Sequence, residues 1–198
     1  MIDTAVVAAL AVVAGGLLAV STRDVRLMAV GLLVAIFASP LVASPLPDPL
    51  PLAAWGIGAA LTAYLVWASA RAGSLQSPGS AIGPTAATAA AAAAFIVGLN
   101  VKPVDPLEGP VVAQAAGLAI LVLALVPIMG RDVLRLGLGI VLMTLSLVLL
   151  MNAWVGALLP LIHYALALLL VGIGGATSVL IGRADGADGD LDTTGSNS

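Results

Sequence analysis

His163 is the only histidine in the chain, and it stands beside Tyr164 at the start of a long apolar segment. Because imidazole titrates near neutral pH and bonds through two nitrogens, His163 could accept a proton or contact a quinone. Pro160 suits the first turn of a helix, which would place His163 about one turn inside it. Amphipathic rings also gather at membrane–water interfaces without any chemical role. His163 is therefore either a functional group or an interfacial histidine beside an interfacial tyrosine.

The rest of the sequence shows no catalytic, cofactor-binding or metal-binding motif. The chain has no cysteine, which excludes disulfides, thiolate metal sites and cysteine-held iron–sulfur clusters. It also contains no phosphate-binding loop, catalytic triad, metal-ligand cluster or nucleic-acid-binding patch. We therefore predict no catalytic residue, no cofactor and no nucleic-acid partner. Several polar side chains inside the apolar segments could instead hydrogen-bond between helices, at about 0.6 kcal/mol per bond. These are Thr62, Asn100, Gln114, Thr144, Ser146 and Asn152.

Seven apolar segments must position these side chains. Of the 198 residues, 61% are hydrophobic and 9% are charged, whereas about a quarter of a soluble domain is charged. A helix of ~20 apolar residues crosses ~30 Å of hydrocarbon, and the alternating pattern of a β-barrel is absent. The sequence predicts an all-α polytopic membrane protein with about seven transmembrane helices in one domain, residues 1–183. The segments are 5–20, 25–43, 52–70, 82–101, 111–129, 133–154 and 161–181. An acidic tail, 184–198, is predicted to be disordered and cytoplasmic.

The basic residues predict the orientation of the chain. Six arginines follow odd-numbered segments, and only Lys102 follows an even-numbered one. Cytoplasmic loops carry an excess of Lys and Arg, so this asymmetry places the N-terminus outside and the C-terminus inside. The arginines are Arg23, Arg26, Arg71, Arg131, Arg135 and Arg183. Trp55, Trp154 and Tyr164 would then line the outer interface and Trp67 the inner one.

A short pattern occurs twice. Arg23-Asp24-Val25 and Gly31 recur 108 positions later as Arg131-Asp132-Val133 and Gly139, so residues 23–31 match 131–139. Each Asp would begin a helix, where the helix dipole favours negative charge, and each Arg would lie at the cytoplasmic interface. Those two preferences could produce the match by convergence. Duplication is the alternative, since parallel repeats occur in transport folds.

Residues 86–94 are an almost continuous run of alanine. Small residues let neighbouring helix backbones approach closely in lipid. We therefore predict that this helix is buried between other helices.

The segment Arg131-Asp132-Val133-Leu134-Arg135, followed by Gly139 and Leu142-Met143, resembles the R-[ND]-[IV]-L-R-x-x-x-G-x-x-L-M signature of the hydrogenase-4 component E family. That family is related to the K subunit of complex I and the C subunit of Mrp-type sodium/proton antiporters. The resemblance extends over most of the chain. It includes Arg26-Leu27, the stretch from Trp55 to Arg71, Gly83-Pro84 and Val101-Lys102-Pro103-Val104.

The chain departs from the family at its charged membrane positions. Thr144 stands where the family typically has glutamate, Gly58 stands near an expected lysine, and Leu169 or Leu170 stands near an expected acid. These groups would connect a proton path at mid-membrane depth, where ionisable residues persist mainly for function. The resemblance therefore implies a scaffold without the family's titratable chemistry. His163, Thr144, Arg131 and Arg135 remain the candidate functional residues.

Together these features predict a non-catalytic subunit of a proton- or sodium-translocating complex. The complex would be of the hydrogenase-4, complex I or Mrp type, in the cytoplasmic membrane of a prokaryote. The subunit would not be an enzyme by itself, and its partners would be lipid and an antiporter-like membrane subunit. A small transporter or channel acting as a homo-oligomer is the alternative. A membrane anchor or assembly factor is a third.

Overall fold

The computed structural model describes residues 3–43, 46–72, 83–101, 109–129, 132–156 and 159–194, with only the backbone described over 182–194. These ranges contain seven α-helices and one 3₁₀ turn, and no strand. The helices are α1 (Thr4–Ser21), α2 (Val25–Ala38), α3 (Pro49–Ala72), α4 (Pro84–Asn100), α5 (Val111–Ile128), α6 (Val133–Val155) and α7 (Pro160–Thr194). The 3₁₀ turn, Ser39–Val42, follows α2 directly.

The predicted all-α polytopic membrane protein is confirmed. Within the described residues, 6 helices are long and apolar enough to cross a membrane. The remaining helix, α4, has 17 residues, which is the lower limit of the length that spans a bilayer. Each predicted apolar segment coincides with one helix, and the start of α7 at Pro160 confirms the predicted role of that proline.

Packing contacts show that α2 runs in the opposite direction to α1 and to α3. Gly15 of α1 lies against Gly31 of α2, and Trp55 near the start of α3 bonds Ile36 near the end of α2. The first turn of α3 thus lies beside the last turn of α2. By the same reasoning α3 and α7 are parallel, because Trp55 faces His163 while Gly174 lies against Thr62.

We call the two ends of the bundle the basic end and the histidine end. The basic end holds the α1–α2 and α5–α6 turns, where Arg23 and Arg135 line the same pocket. The histidine end holds the start of α7 with His163. The start of α1 and the C-terminal part of α7 lie at opposite ends, as the sequence predicts. That the basic end faces the cytoplasm stays a prediction.

Six helices form a closed ring, in the order α1, α2, α3, α7, α6 and α5, and α4 packs outside it, mainly on α5. Large apolar side chains fill the ring, and the fully buried ones include Leu32, Ile36, Ile120, Leu142 and Leu149. The 3₁₀ turn contacts α1, α2 and α6, so it closes the ring at the histidine end. Close burial of this kind holds helices together in lipid mainly through packing, because lipid tails supply no hydrophobic driving force.

The repeated sequence pattern gives the same local structure twice. The carboxylate of Asp24 accepts a hydrogen bond from Arg26 N at 2.8 Å, and that of Asp132 accepts one from Leu134 N at 3.0 Å. Both are helix N-caps, which satisfy backbone donors that the first turn leaves free. The prediction that each Asp begins a helix is confirmed. Whether duplication or convergence produced the match stays open.

The α4 helix differs from its prediction. Only Ala87, Ala91 and Gly98 are buried, all on the side that faces α5, while Ala89 and Ala93 are exposed. The prediction that this helix is buried between others is therefore wrong for the single chain. Because nearly every residue of the run is alanine, the sequence carried no sign of which face would pack.

The last helix is longer than the sequence predicts. The backbone of α7 stays helical to Thr194, across most of the segment 184–198 that we predicted to be disordered. Extending an existing helix adds one backbone hydrogen bond per ordered residue, without the cost of nucleation. Residues 195–198 lie outside the described residues, as do the side chains of the acidic segment.

Candidate functional site

A proline break in α2 organises the histidine end. In a continuous helix the N–H of residue 40 would bond the carbonyl of Ile36, but Pro40 has no N–H. The Ile36 carbonyl instead accepts from the backbone N–H of Ser39, from Ser39 Oγ at 2.8 Å and from Trp55 Nε1 at 2.6 Å. The break thus exposes an acceptor, and the indole of α3 fixes the position of α2 by binding it.

Trp55 in turn forms one wall around His163. The two rings meet edge to face, with their centroids 6.2 Å apart and their planes at 76°. Trp55 is 1% exposed and His163 is 3% exposed. Both lie near the helix ends at which the sequence places them, but they point into the bundle. The interfacial interpretation of these two rings is therefore wrong, since protein encloses them on nearly every side.

The two nitrogens of His163 have different surroundings. Nδ1 lies 3.4 Å from the carbonyl oxygen of Leu159, to which it can donate only in the Nδ1–H tautomer. Nε2 is buried and has no hydrogen-bond partner among the described residues. In that tautomer Nε2 is an acceptor, so the site favours a donor such as a hydroxyl or a water molecule.

Asn152, near the end of α6, is a second buried polar side chain without partners. It is 0% exposed, and neither its amide nitrogen nor its amide oxygen has a hydrogen-bond partner among the described residues. An unpaired buried amide is costly, commonly about 1–3 kcal/mol. Gln114, by contrast, donates to the carbonyls of Gly98 and Val101 at 3.0 and 3.1 Å and so ties α4 to α5. Gln114 therefore makes the interhelical bonds that the sequence predicts.

Thr144 lies on the outside of the ring. Its hydroxyl donates to Ile140 O of its own helix at 3.0 Å. The side chain lines an open groove of ≈ 320 Å³ together with Leu121, Met143 and Leu147. The groove is apolar, so a glutamate at this position would need a polar or basic partner from outside the chain, because a lipid-facing carboxylate is costly.

Of the two candidate arginines, only Arg135 can be placed. It is partly exposed and lines a pocket of ≈ 30 Å³ at the basic end, together with Arg23. Arg131 lies outside the described residues. The structure thus places His163, Thr144 and Arg135 in three separate regions: the inside of the histidine end, the outer face of α6 and the basic end.

Two other aromatic side chains, Trp154 and Trp67, lie near the helix ends at which the sequence places them. Trp154 is 61% exposed near the end of α6, as suits an interfacial ring. Trp67 lies under the guanidinium of Arg71, 4.7 Å from its centre to the ring centroid. That contact is a cation–π interaction. It places Trp67 at the basic end, and that this end is the inner one stays a prediction.

Sequence reasoning missed three members of the histidine end. Ser39, Pro40 and Ile36 looked like ordinary parts of an apolar segment. The proline was the available signal, since it ends or kinks a helix. Nothing in the sequence indicated that Trp55, 19 residues after Ile36, would donate to the Ile36 carbonyl.

The arrangement places several hydrogen-bonding groups inside the helix bundle. Within the described ranges, no three His, Asp or Glu side chains come together in a way that could hold a metal ion. No protein-family model, no curated protein and no solved structure matches the chain.

Proposed function

We propose that the chain is a structural subunit of an ion-translocating membrane complex and packs through α4 against a large antiporter-like subunit. The outward face of α4 carries this proposal. The N-terminal half of this face presents small side chains, which include Ala86, Ala89, Ala90 and Ala93. A neighbouring helix can approach such a surface closely enough for extensive van der Waals contact.

The contact of α4 with α5 shows how close such an approach can be. A Cβ added at Gly98 would lie 2.5 Å from Ala115 Cα, so the two backbones touch there. Ala87 and Ala91 continue the same buried face. In the N-terminal half of α4, the opposite face has residues of similar size that are exposed among the described residues, and a helix of another subunit fits it.

The resemblance to the hydrogenase-4 component E family adds the kind of complex: hydrogenase-4-like, complex-I-like or Mrp-like, in a prokaryotic plasma membrane. The residues that would titrate are replaced at mid-membrane depth, for example by Thr144. The subunit therefore shapes and seals the side of a pump without moving protons itself.

Purification from native membranes in mild detergent tests the proposal. The tagged chain is expected to bring down an antiporter-like membrane subunit, identified by mass spectrometry. Ala89→Leu should remove that partner while the chain still folds, because the added bulk points away from α5. Ala60→Leu, on the exposed side of α3, is the matched control and should keep it. A chain that purifies only as a homo-oligomer with a wet pore would favour the transporter alternative.

Liposomes give a second test. The purified chain should conduct protons no faster than empty vesicles, because threonine and leucine do not titrate near neutral pH. Proton flux that His163→Ala abolishes would instead assign transport to the chain itself and overturn the structural role.

A further inference from the structure

The pocket at the basic end lies where the two matching hairpins meet. The α1–α2 turn contributes Thr22 and Arg23, and the α5–α6 turn contributes Pro127, Leu134 and Arg135. Its volume is ≈ 30 Å³, which is room for about two water molecules. Two arginines from distant parts of the sequence therefore line one small pocket.

The charge of this pocket comes from the arginine side chains. The N-termini of α2 and α6 lie here, but so do the C-termini of α1 and α5, so the helix dipoles offset one another. Neither Asp24 nor Asp132 lines the pocket, since both carboxylates bond the first turns of their own helices. Among the described residues, the pocket wall thus contains two arginines and no acidic residue.

A polar donor and apolar walls complete the site. The Thr22 hydroxyl oxygen accepts from Asp24 N at 3.2 Å, which leaves its own proton free to donate. The apolar wall comes from buried residues of all four helices, among them Ala19, Met28, Pro127 and Leu138.

We propose that this pocket binds the phosphate group of an anionic phospholipid. Guanidinium groups bind phosphate oxygens in paired hydrogen bonds, and basic pockets between transmembrane helices are known lipid headgroup sites. The volume admits one or two phosphate oxygens, and the rest of the headgroup lies at the mouth. The lipid joins the α1–α2 hairpin to the α5–α6 hairpin at the basic end of the ring.

Native mass spectrometry of the full chain in neutral detergent tests this. Phosphatidylglycerol is titrated against phosphatidylcholine, which carries the same phosphodiester with no net charge. We expect one tightly bound phosphatidylglycerol. The double variant Arg23→Gln/Arg135→Gln should weaken it by about tenfold or more, since each arginine near a charged membrane surface contributes about 1 kcal/mol. The matched control is Arg71→Gln, which removes a charge at the same end outside the pocket, and it should bind as the wild type does.

Two further arms complete the experiment. Arg23→Lys/Arg135→Lys keeps the charge and should retain more binding than the glutamine pair. Inorganic phosphate at millimolar concentration should not displace the lipid. If phosphate displaces it and stabilises the chain equally well, the ligand is free phosphate and the lipid assignment fails. Equal loss in Arg71→Gln, or no preference for phosphatidylglycerol, would overturn the site.

Discussion

The α1–α2 and α5–α6 hairpins are built alike at the basic end and differently at the histidine end. In each, an aspartate caps the second helix, and a glycine seven residues later lies against the backbone of the first. Farther along, α2 breaks at Pro40 and turns inward, whereas α6 continues unbroken to Val155. The position 108 residues after Pro40 is Val148, which is buried within α6.

The way the two helices touch also differs between the hairpins. In α1–α2, a Cβ added at Gly31 would lie 2.7 Å from Ala19 N and Gly15 O, so backbone meets backbone. In α5–α6, a Cβ added at Gly117 would meet the Leu150 side chain first, at 2.9 Å, and one added at the matching Gly139 would meet the Ile128 side chain before Ala124 O at 3.0 Å. One turn design can therefore support both a pair whose second helix is continuous and a pair whose second helix breaks and supplies a buried hydrogen-bond acceptor.

The largest effect should come from transferring the break. Val148→Pro would remove the N–H that bonds the carbonyl four residues earlier and would clash with it, at a cost of about 3 kcal/mol or more. Among the described residues, no indole N–H donates to the carbonyl of Thr144 as that of Trp55 donates to the carbonyl of Ile36. Unfolding in SDS mixed micelles, followed by circular dichroism, measures the loss. The control is Pro40→Ala, which should change stability by under about 1 kcal/mol; equal losses would mean that α6 tolerates the break.

The glycine contacts should give the next largest difference. Gly31→Ala forces two backbones apart and should cost about 3 kcal/mol, at the upper end of overpacking penalties. Gly117→Ala should cost about 1 kcal/mol, because the Leu150 side chain can shift. Helix propensity changes equally in both variants, so it cancels in the comparison. The same SDS titration measures both losses of stability. A larger loss for Gly117→Ala than for Gly31→Ala would show that α5–α6 is the tighter pair.

The two helix caps should contribute about equally to the stability of the protein. Asp24→Ala and Asp132→Ala should each destabilise the protein by about 1 kcal/mol. Because the two sites lie in different turns, the double variant should lose the sum of the single losses within about 0.5 kcal/mol. Thermal unfolding of the three variants in one detergent measures this. A loss at only one cap would limit the likeness of the hairpins to their sequence.

The smallest effect concerns two neighbouring hydroxyls on α6. Ser146 Oγ donates to Gly117 O across the helix pair at 2.7 Å, and Ser146→Ala should cost about 0.6 kcal/mol. Thr144 bonds only its own helix, and Thr144→Ala should change the unfolding midpoint hardly at all. If both variants behave alike, the Ser146 bond adds nothing to the pairing of α5 with α6.

The sequence predicted features that depend on local chemistry. Charges and prolines bound each apolar run, so α1 and α6 begin and end within two residues of their predicted limits. Asp24 and Asp132 were identified as helix starts because capping involves only nearby atoms. Pro160 was placed correctly for the same reason.

The features that the sequence could not predict depend on which helix faces pack together. Every side of these helices is apolar, so the pattern that marks a buried face in a soluble protein is missing. The outward face of α4, the burial of His163 and the bond from Trp55 to Ile36 therefore could not be derived. Pro40 was a local signal that the long apolar run around it concealed.

The ring also has an order of construction. Chains are synthesised from the N-terminus, and α7 fills the gap between α3 and α6. Until α7 inserts, α3 must hold Trp55 and Thr62 against lipid or against whatever protein accompanies it in the membrane. His163 lies on this last helix, so its contact with Trp55 can form only when the bundle is complete. A chain stopped before Pro160 would remain an open arc, in which α3 and α6 expose the faces that α7 covers in the complete bundle.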